Sequence, residues 1–278
     1  MPHYVQPRSV WAGPGASKVP SPSDPASPKA APPALPWSPA LAHVPFRSAI
    51  ARPQKRLASS PLTVNALRSA RFYAILDTGY VPRERWISTC RALLLGGADI
   101  VQLRAKRQTP AERRALLEEI LPLFSPGTVV AAPPPLIVND DLALALAYPN
   151  LGLHVGQDDL APVLARERLG PGRLLGLSTH SPEQVRTALA LPHGTLDYFA
   201  VGPVFATPTK PDYTPVGLDL VRHVTATQPA LPWFCIGGIK CANLAEVRAA
   251  GGSRVVVVSE VLCAADPAEL IRHYRTLL

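Results

Sequence analysis

The side chains best equipped for chemistry in this 278-residue chain begin with the run Val101-Gln-Leu-Arg-Ala-Lys106. Alternate side chains of a β-strand share a face, so Gln102, Arg104 and Lys106 point one way and Val101, Leu103 and Ala105 the other. An amide followed by two cations is a costly row to bury unpaired, so that face should meet an anion. The bland alternative is an edge strand whose charges face water. Two later runs, Cys235-Ile-Gly-Gly-Ile239 and Val255-Val-Val-Val-Ser259, offer a second anion site. Paired glycines let backbone amides approach an anion closely, and a helix N-terminus adds a favourable dipole. Gly237, Gly238, Val258 and Ser259 thus form a candidate phosphomonoester cradle, unless the glycines only make tight turns.

The first site gathers more charge. Lys210 closes the segment Gly202-Pro-Val-Phe-Ala-Thr-Pro-Thr-Lys210, in which Thr207 and Thr209 offer hydroxyls. Asn139-Asp140 and Gly156-Gln-Asp-Asp159 supply carboxylates. Acids beside bases could simply be salt bridges. Two acids from different segments, with amides next to them, also suit Mg²⁺ bridging a diphosphate, because Mg²⁺ takes one or two carboxylates and completes its shell with phosphate oxygens and water. One monophosphate site and one metal–diphosphate site together imply two phosphorylated small-molecule substrates. His154 and His180 read first as hydrogen-bonded structural residues. A role for His154 in shaping the rim stays open.

The elements that must position these residues follow from periodicity. From Arg71 onward, short β-rich runs alternate with helical ones. Strands are predicted at 72–76, 100–104, 136–138, 151–154, 174–177, 198–201, 233–236 and 254–258. Helices are predicted at 83–95, 109–123, 140–147, 160–169, 181–189, 218–224, 244–249 and 267–277. Gly96-Gly97 ends the first helix, Thr109-Pro110 and Ser181-Pro182 supply N-cap and first-turn signals, and a long loop follows the sixth strand. Eight β-then-α units in about two hundred residues give an α/β fold, a TIM (β/α)₈ barrel. An open doubly wound sheet is the runner-up, but no G-x-G-x-x-G follows the first strand. Asp77, Gln102, Arg104, Lys106, Asn139, Asp140, His154, Ser178, Gly202, Gly237, Gly238 and Ser259 all fall at or just after strand C-termini. In a barrel those ends form one rim.

Charge separates the chain into two parts. The net charge is +8. Eight basic residues and only Asp24 precede Arg71, which leaves 20 − 19 = +1 for the remainder. The basicity belongs to the tail and gives no reason to expect nucleic acid on the core. Residues 1–70, rich in Pro, Ala and Ser, read as a disordered tail, and 71–278 as the barrel. The tail partly resembles an organelle transit peptide, although its Pro density argues against an amphipathic helix. A later start codon, near Leu62 or Val64, is the other possibility. No apolar run reaches the ~18 residues of a membrane span. Cys90, Cys235, Cys241 and Cys263 lack C-x-x-C spacing and read as buried free thiols in a reducing compartment, the cytoplasm. Trp86 and Trp233 read as core, and Tyr213-Thr-Pro as part of a mobile loop.

Taken in order, the motifs resemble the thiamine-phosphate synthase family. The resemblance spans Phe72 to Leu278 and rests on Tyr73-Ala-Ile-Leu-Asp77, Gln102-Leu-Arg-Ala-Lys106, Leu136-Ile-Val-Asn-Asp140, Leu153-His-Val-Gly-Gln-Asp-Asp159, Leu175-Gly-Leu-Ser-Thr-His180, Val201 to Lys210 and Ile236-Gly-Gly-Ile239. It implies a transferase of thiamine biosynthesis that joins hydroxymethylpyrimidine diphosphate to hydroxyethylthiazole phosphate, giving thiamine phosphate and pyrophosphate. By that resemblance Gln102, Arg104, Lys106, Asn139, Ser178 and Lys210 surround the pyrimidine diphosphate, and Asp140 and Asp159 hold Mg²⁺. Thr207, Thr209, Gly238, Val258 and Ser259 match the thiazole phosphate site. The chain departs from the family at Ala105, where Glu is frequent, at Asp141, where Arg is frequent, and at Arg254, where Gly is usual.

Two other readings share the cradle. A barrel that tautomerises the thiazole would keep the monophosphate site, but such proteins carry His where Pro203 stands. A non-catalytic phosphate sensor would bind without turnover. The composition leaves a homo-oligomer open and gives no sign of a membrane.

Overall fold

The computed structural model describes residues 67–207, 209 and 214–278, all within the Pro53–Leu278 unit of the chain. Most of the expected tail, Lys210 and Tyr213 lie outside the described residues. Eight strands occur in order: Phe72–Asp77 (β1), Ile100–Arg104 (β2), Leu136–Asn139 (β3), Gly152–Val155 (β4), Leu175–Thr179 (β5), Tyr198–Val201 (β6), Trp233–Ile236 (β7) and Val255–Val257 (β8). All pair in parallel with their sequence neighbours, and β8 returns to β1, so the sheet closes as a TIM barrel. Between and after them lie Trp86–Leu95 (α1), Pro110–Ile120 (α2), Leu142–Ala147 (α3), Pro162–Leu169 (α4), Pro182–Leu189 (α5), Gly217–Thr227 (α6), Leu244–Ala249 (α7), Ser259–Leu262 (α8) and Pro267–Leu277 (α9).

Local chemistry sets several boundaries. Thr109 and Glu112 close a reciprocal capping box over α2, with Pro110 at the first helical position. Ser181 accepts from Gln184 N at the start of α5, and Asp266 from Glu269 N at the start of α9. The helix after β3 starts at Leu142, two residues later than expected. Asp140 has φ 61°, outside the helical region, and Asp141 serves as the N-cap by accepting from Leu144 N. The short α8, absent from the sequence reading, is four residues long and has too few positions to show a period.

The core has two shells, as the alternation in β2 requires. Val101, Leu103 and Ala105 pack between barrel and helices. Tyr73, Ile75, Ile100, Ile137, Leu174, Tyr198, Phe234 and Val256 fill the barrel interior. Leu67 and Ala70, on the tail side of the expected boundary, belong to this inner cluster and are 2% and 1% exposed. All four cysteines are free, but only Cys90 and Cys235 are buried; Cys263 is exposed and Cys241 half-buried, which corrects the expectation of four buried thiols. Trp86 is buried and donates to Val81 O, and Trp233 packs against the core. Arg254 donates to Arg68 O at the foot of β8, the end of that strand opposite Ser259. Among the described residues no helix is long and apolar enough to cross a membrane.

Candidate active site

Inward-facing positions near the strand ends open into a bowl of about 850 Å³, counting its mouth. Gln102, Arg104, Asn139, His154 and Ser178 line one side. Gly237, Gly238, Val258 and Ser259 line the other, with Thr207 and Thr209 from the loop after β6. A second cleft of about 650 Å³ adjoins it and is lined by Lys106, Arg113, Asp140, Asp141 and Asp159. Asn139 lines both. Every expected site residue among the described ones therefore falls in one of two neighbouring hollows on one rim.

The cationic row is built as the alternation demands. Arg104 ends β2, and its Nη1 lies 2.5 Å from Asp77 Oδ2 at the end of β1. Register places the two residues opposite each other. Asp77 Oδ1 also accepts from Gly79 N, which fixes the carboxylate. Lys106, just past the strand, is half exposed and forms an ion pair with Asp140. The positive φ of Asp140 turns its amide onto His154 O at 2.8 Å, while Asn139 Nδ2 donates to Asp140 Oδ2 at 2.6 Å. Asp159 accepts from Gly156 N at 2.7 Å. Its carboxyl is pushed above the usual carboxylate range, first by burial and then by its hydrogen bond to Asp140.

Two carboxylates in contact beside an amide form an oxygen donor set that favours a divalent cation. The second cleft has room for one together with phosphate oxygens. Among the described residues no group of three or more His, Cys, Asp or Glu side chains converges on a common point, so any cation here would take much of its shell from substrate and water.

The opposite wall is made of close backbone contacts. Gly237 and Gly238 have φ 98° and 63°. A Cβ on Gly237 would fall 2.4 Å from Pro203 Cα, and one on Gly238 would fall 2.5 Å from Ala206 O. Only glycine fits both the conformation and the space. Phe205 N donates to Gly237 O, and Asn243 Nδ2 donates to Gly238 O at 2.9 Å, so the loops after β6 and β7 hold each other. Tyr80, from the loop after β1, hydrogen-bonds Thr209 Oγ1 at 2.8 Å across the mouth. His180 lines the bowl with its Nδ1 on Gly202 O.

Tyr73, Tyr80, Tyr198 and Asn243 have no role that residue type alone predicts, and Asp77 is predicted on the rim without a task. Tyr73 and Tyr198 carried a usable signal, since each is an aromatic residue with a polar tip at an inward strand position. Asn243 carried none.

Comparison with known proteins agrees with this geometry. The model of the thiamine monophosphate synthase family matches residues 72–261. A thiamine-phosphate synthase of Acidothermus cellulolyticus is 40% identical over 217 residues, covering 77% of this chain and 97% of the relative. One from a Synechococcus strain is 41% identical over 189 residues, 68% of this chain, and the match spans about half of that longer protein, 51%. Among solved structures, a thiamine phosphate pyrophosphorylase from Pyrococcus furiosus superposes with a TM-score of 0.60 at 27% identity, covering 77% of this chain and 96% of the other. With two adjoining hollows on the rim of a closed eight-stranded barrel, and the family match running from β1 into α8, the chain belongs to the thiamine monophosphate synthase family.

Proposed function

We propose that this transferase of thiamine-phosphate synthesis takes hydroxymethylpyrimidine diphosphate on the Gln102–Arg104–Lys106 side of the rim and hydroxyethylthiazole phosphate on the Gly238–Val258–Ser259 side. The observation that carries the reading is the sharing of Asn139 between the bowl and the cleft. A diphosphate lying in the cleft leaves its pyrimidine methylene over the bowl, facing the second substrate. Arg104 is aimed by Asp77, and Lys106 reaches from the cleft wall, so two cations stand where negative charge grows as the diphosphate departs. The pyrimidine methylene cation that remains is captured by the thiazole nitrogen. No enzyme nucleophile is required; the walls hold the partners in line and keep water out. Thr207 and Thr209 offer hydroxyls to the thiazole partner. Lys210, outside the described residues, is proposed as a third cation on the diphosphate.

Asp140 and Asp159 are the residues that would hold Mg²⁺, which when bound supplies further positive charge to the diphosphate. Soluble substrates at an open rim fit a cytoplasmic enzyme whose core needs neither nucleic acid nor membrane. A homo-oligomer is compatible with this reading, since no second copy need complete the site. The direct test is a coupled pyrophosphate-release assay in which each substrate is omitted in turn. Release requires both. Steady release from the pyrimidine diphosphate alone, or none with both present, would overturn the reading.

A further inference from the structure

Across the floor of the bowl runs a line of five side chains from five strands. Gln102 Nε2 donates to the Tyr73 hydroxyl at 2.7 Å. That hydroxyl lies 3.0 Å from the Tyr198 hydroxyl, which lies 3.0 Å from His154 Nδ1. His154 Nε2 lies 2.9 Å from Ser178 Oγ. Tyr73 and Tyr198 are 1% and 0% exposed, and Phe234 packs edge-on against both rings. Burial pushes both phenols well above their ordinary range, so each keeps its proton.

Each hydroxyl has one hydrogen to give, and a neutral imidazole has one N–H. With the Gln102 amide donating to Tyr73, one arrangement gives every hydrogen along the line an acceptor: Tyr73 donates to Tyr198, and Tyr198 to His154 Nδ1. An Nδ1 that accepts leaves the imidazole hydrogen on Nε2, where it is given to Ser178 Oγ. The hydrogen of Ser178 is then left for the bowl, which Ser178 lines. The line has one direction, set at the Gln102 end.

We propose that Tyr73 and Tyr198 are positioning residues, forming a one-way hydrogen-bond chain that fixes His154 in its Nε2–H tautomer and makes Ser178 a hydroxyl donor to the bound pyrimidine diphosphate. This inference rests on assigning that substrate to the Gln102 side of the bowl. It gives His154 a task beyond packing, since the ring transmits a donor preference from one side of the barrel to the other. It also gives the two outer members matched roles. Gln102 gives one amide hydrogen to Tyr73 and keeps its carbonyl oxygen and second hydrogen for the substrate, while Ser178 supplies a further donor to the same side.

The test combines a spectroscopic and a kinetic measurement. In the full chain without substrate, ¹⁵N-histidine spectra, with His154 assigned through His154→Gln, should show a neutral ring protonated at Nε2. Tyr198→Phe should lose that single tautomer. Tyr73→Phe, which cuts the line from Gln102, should weaken the preference less, because the Tyr198 hydroxyl still faces Nδ1. In the assay Tyr198→Phe should raise KM for the pyrimidine diphosphate about 3- to 10-fold, the worth of one net hydrogen bond, and leave KM for the thiazole phosphate unchanged. If Tyr198→Phe fails to fold, the double variant Tyr73→Phe/Tyr198→Phe removes both buried oxygens together and is read in its place. An Nδ1–H or doubly protonated His154 in the wild type would overturn the inference, as would an unchanged ring in Tyr198→Phe or equal changes in both KM values. Should the wild type release no pyrophosphate, the substrate assignment falls, and the His154 tautomer still decides whether the chain of hydrogen bonds exists.

Discussion

Asp77 and Arg104 stand opposite each other at the ends of β1 and β2, with Oδ2 and Nη1 2.5 Å apart and the Asp77 side chain only 3% exposed. A carboxylate this buried, also held by Gly79 N, stays with its guanidinium and aims it. Arg104→Ala is expected to lower kcat on the order of 10²–10³-fold, the usual loss when one preorganised donor to developing charge is removed. Asp77→Asn should act in the same direction but less strongly, because the cation remains and only its aim is lost. Asp77→Ala should also destabilise the fold by about 3 kcal/mol, since it leaves a poorly solvated cation without its partner. Steady-state kinetics with urea melts separate the two effects, and normal turnover in both Arg104→Ala and Asp77→Asn would refute the assignment.

Gly176 in β5 leaves room for the Tyr198 ring. A Cβ there would come within 2.1 Å of Tyr198 Cζ and 2.5 Å of its hydroxyl oxygen. Tyr198 is completely buried and cannot swing aside. Gly176→Ala should therefore cost about 1–3 kcal/mol through overpacking and displace the ring that His154 leans on. The melting midpoint and the pyrimidine KM should both change, and a variant normal in both would show that the barrel interior yields more easily than its packing implies.

These two relationships mark the limit of what the chain discloses before it is folded. Gln102, Arg104 and Lys106 were readable because period-two alternation is local, and the capped starts of α2 and α5 were readable because Thr109-Pro110 and Ser181-Pro182 act on their own amides. The barrel followed from eight repeats of one unit, and the motifs that resemble a family gather around two hollows of its rim. Asp77 could be placed on the rim but not paired with Arg104, since which residues face each other is set by strand register and not by either strand alone. The Tyr73–Tyr198 contact spans 125 residues of sequence, and no local rule encodes it. Asn243 sits beyond β7 in a short turn, where a side chain holding a carbonyl looks like any other polar loop residue.

Asn243 supplies the next expectation. Its amide donates to Gly238 O at 2.9 Å and its oxygen accepts from Lys240 N at 2.8 Å, so it sets the shape of the loop proposed to hold the thiazole phosphate. Asn243→Ala removes both bonds and should raise KM for that substrate about fivefold, near the worth of one net hydrogen bond, while leaving the pyrimidine KM in place. Measured with each substrate varied in turn, a rise confined to the pyrimidine would contradict the division of the rim.

Asp140 and Asp159 make the metal requirement testable. Lys106 pairs with Asp140, and burial, followed by the hydrogen bond to Asp140, raises the Asp159 carboxyl above its ordinary value. A divalent cation at the proposed site would relieve the repulsion between the two acids, so each aspartate should count toward cation affinity. Chelation is expected to abolish turnover, and added Mg²⁺ to restore it. Asp159→Asn and Asp140→Asn should each raise the Mg²⁺ concentration for half-maximal activity by about tenfold or more, with Asp140→Asn also freeing Lys106 from its ion pair. Asp158 precedes Asp159 and does not line the cleft, so Asp158→Asn should leave the requirement as it is. If chelated enzyme turns over normally, or if Asp158→Asn matches Asp159→Asn, then the carboxylate pair serves Lys106 as a salt bridge and the diphosphate is neutralised by Arg104 and the lysines alone.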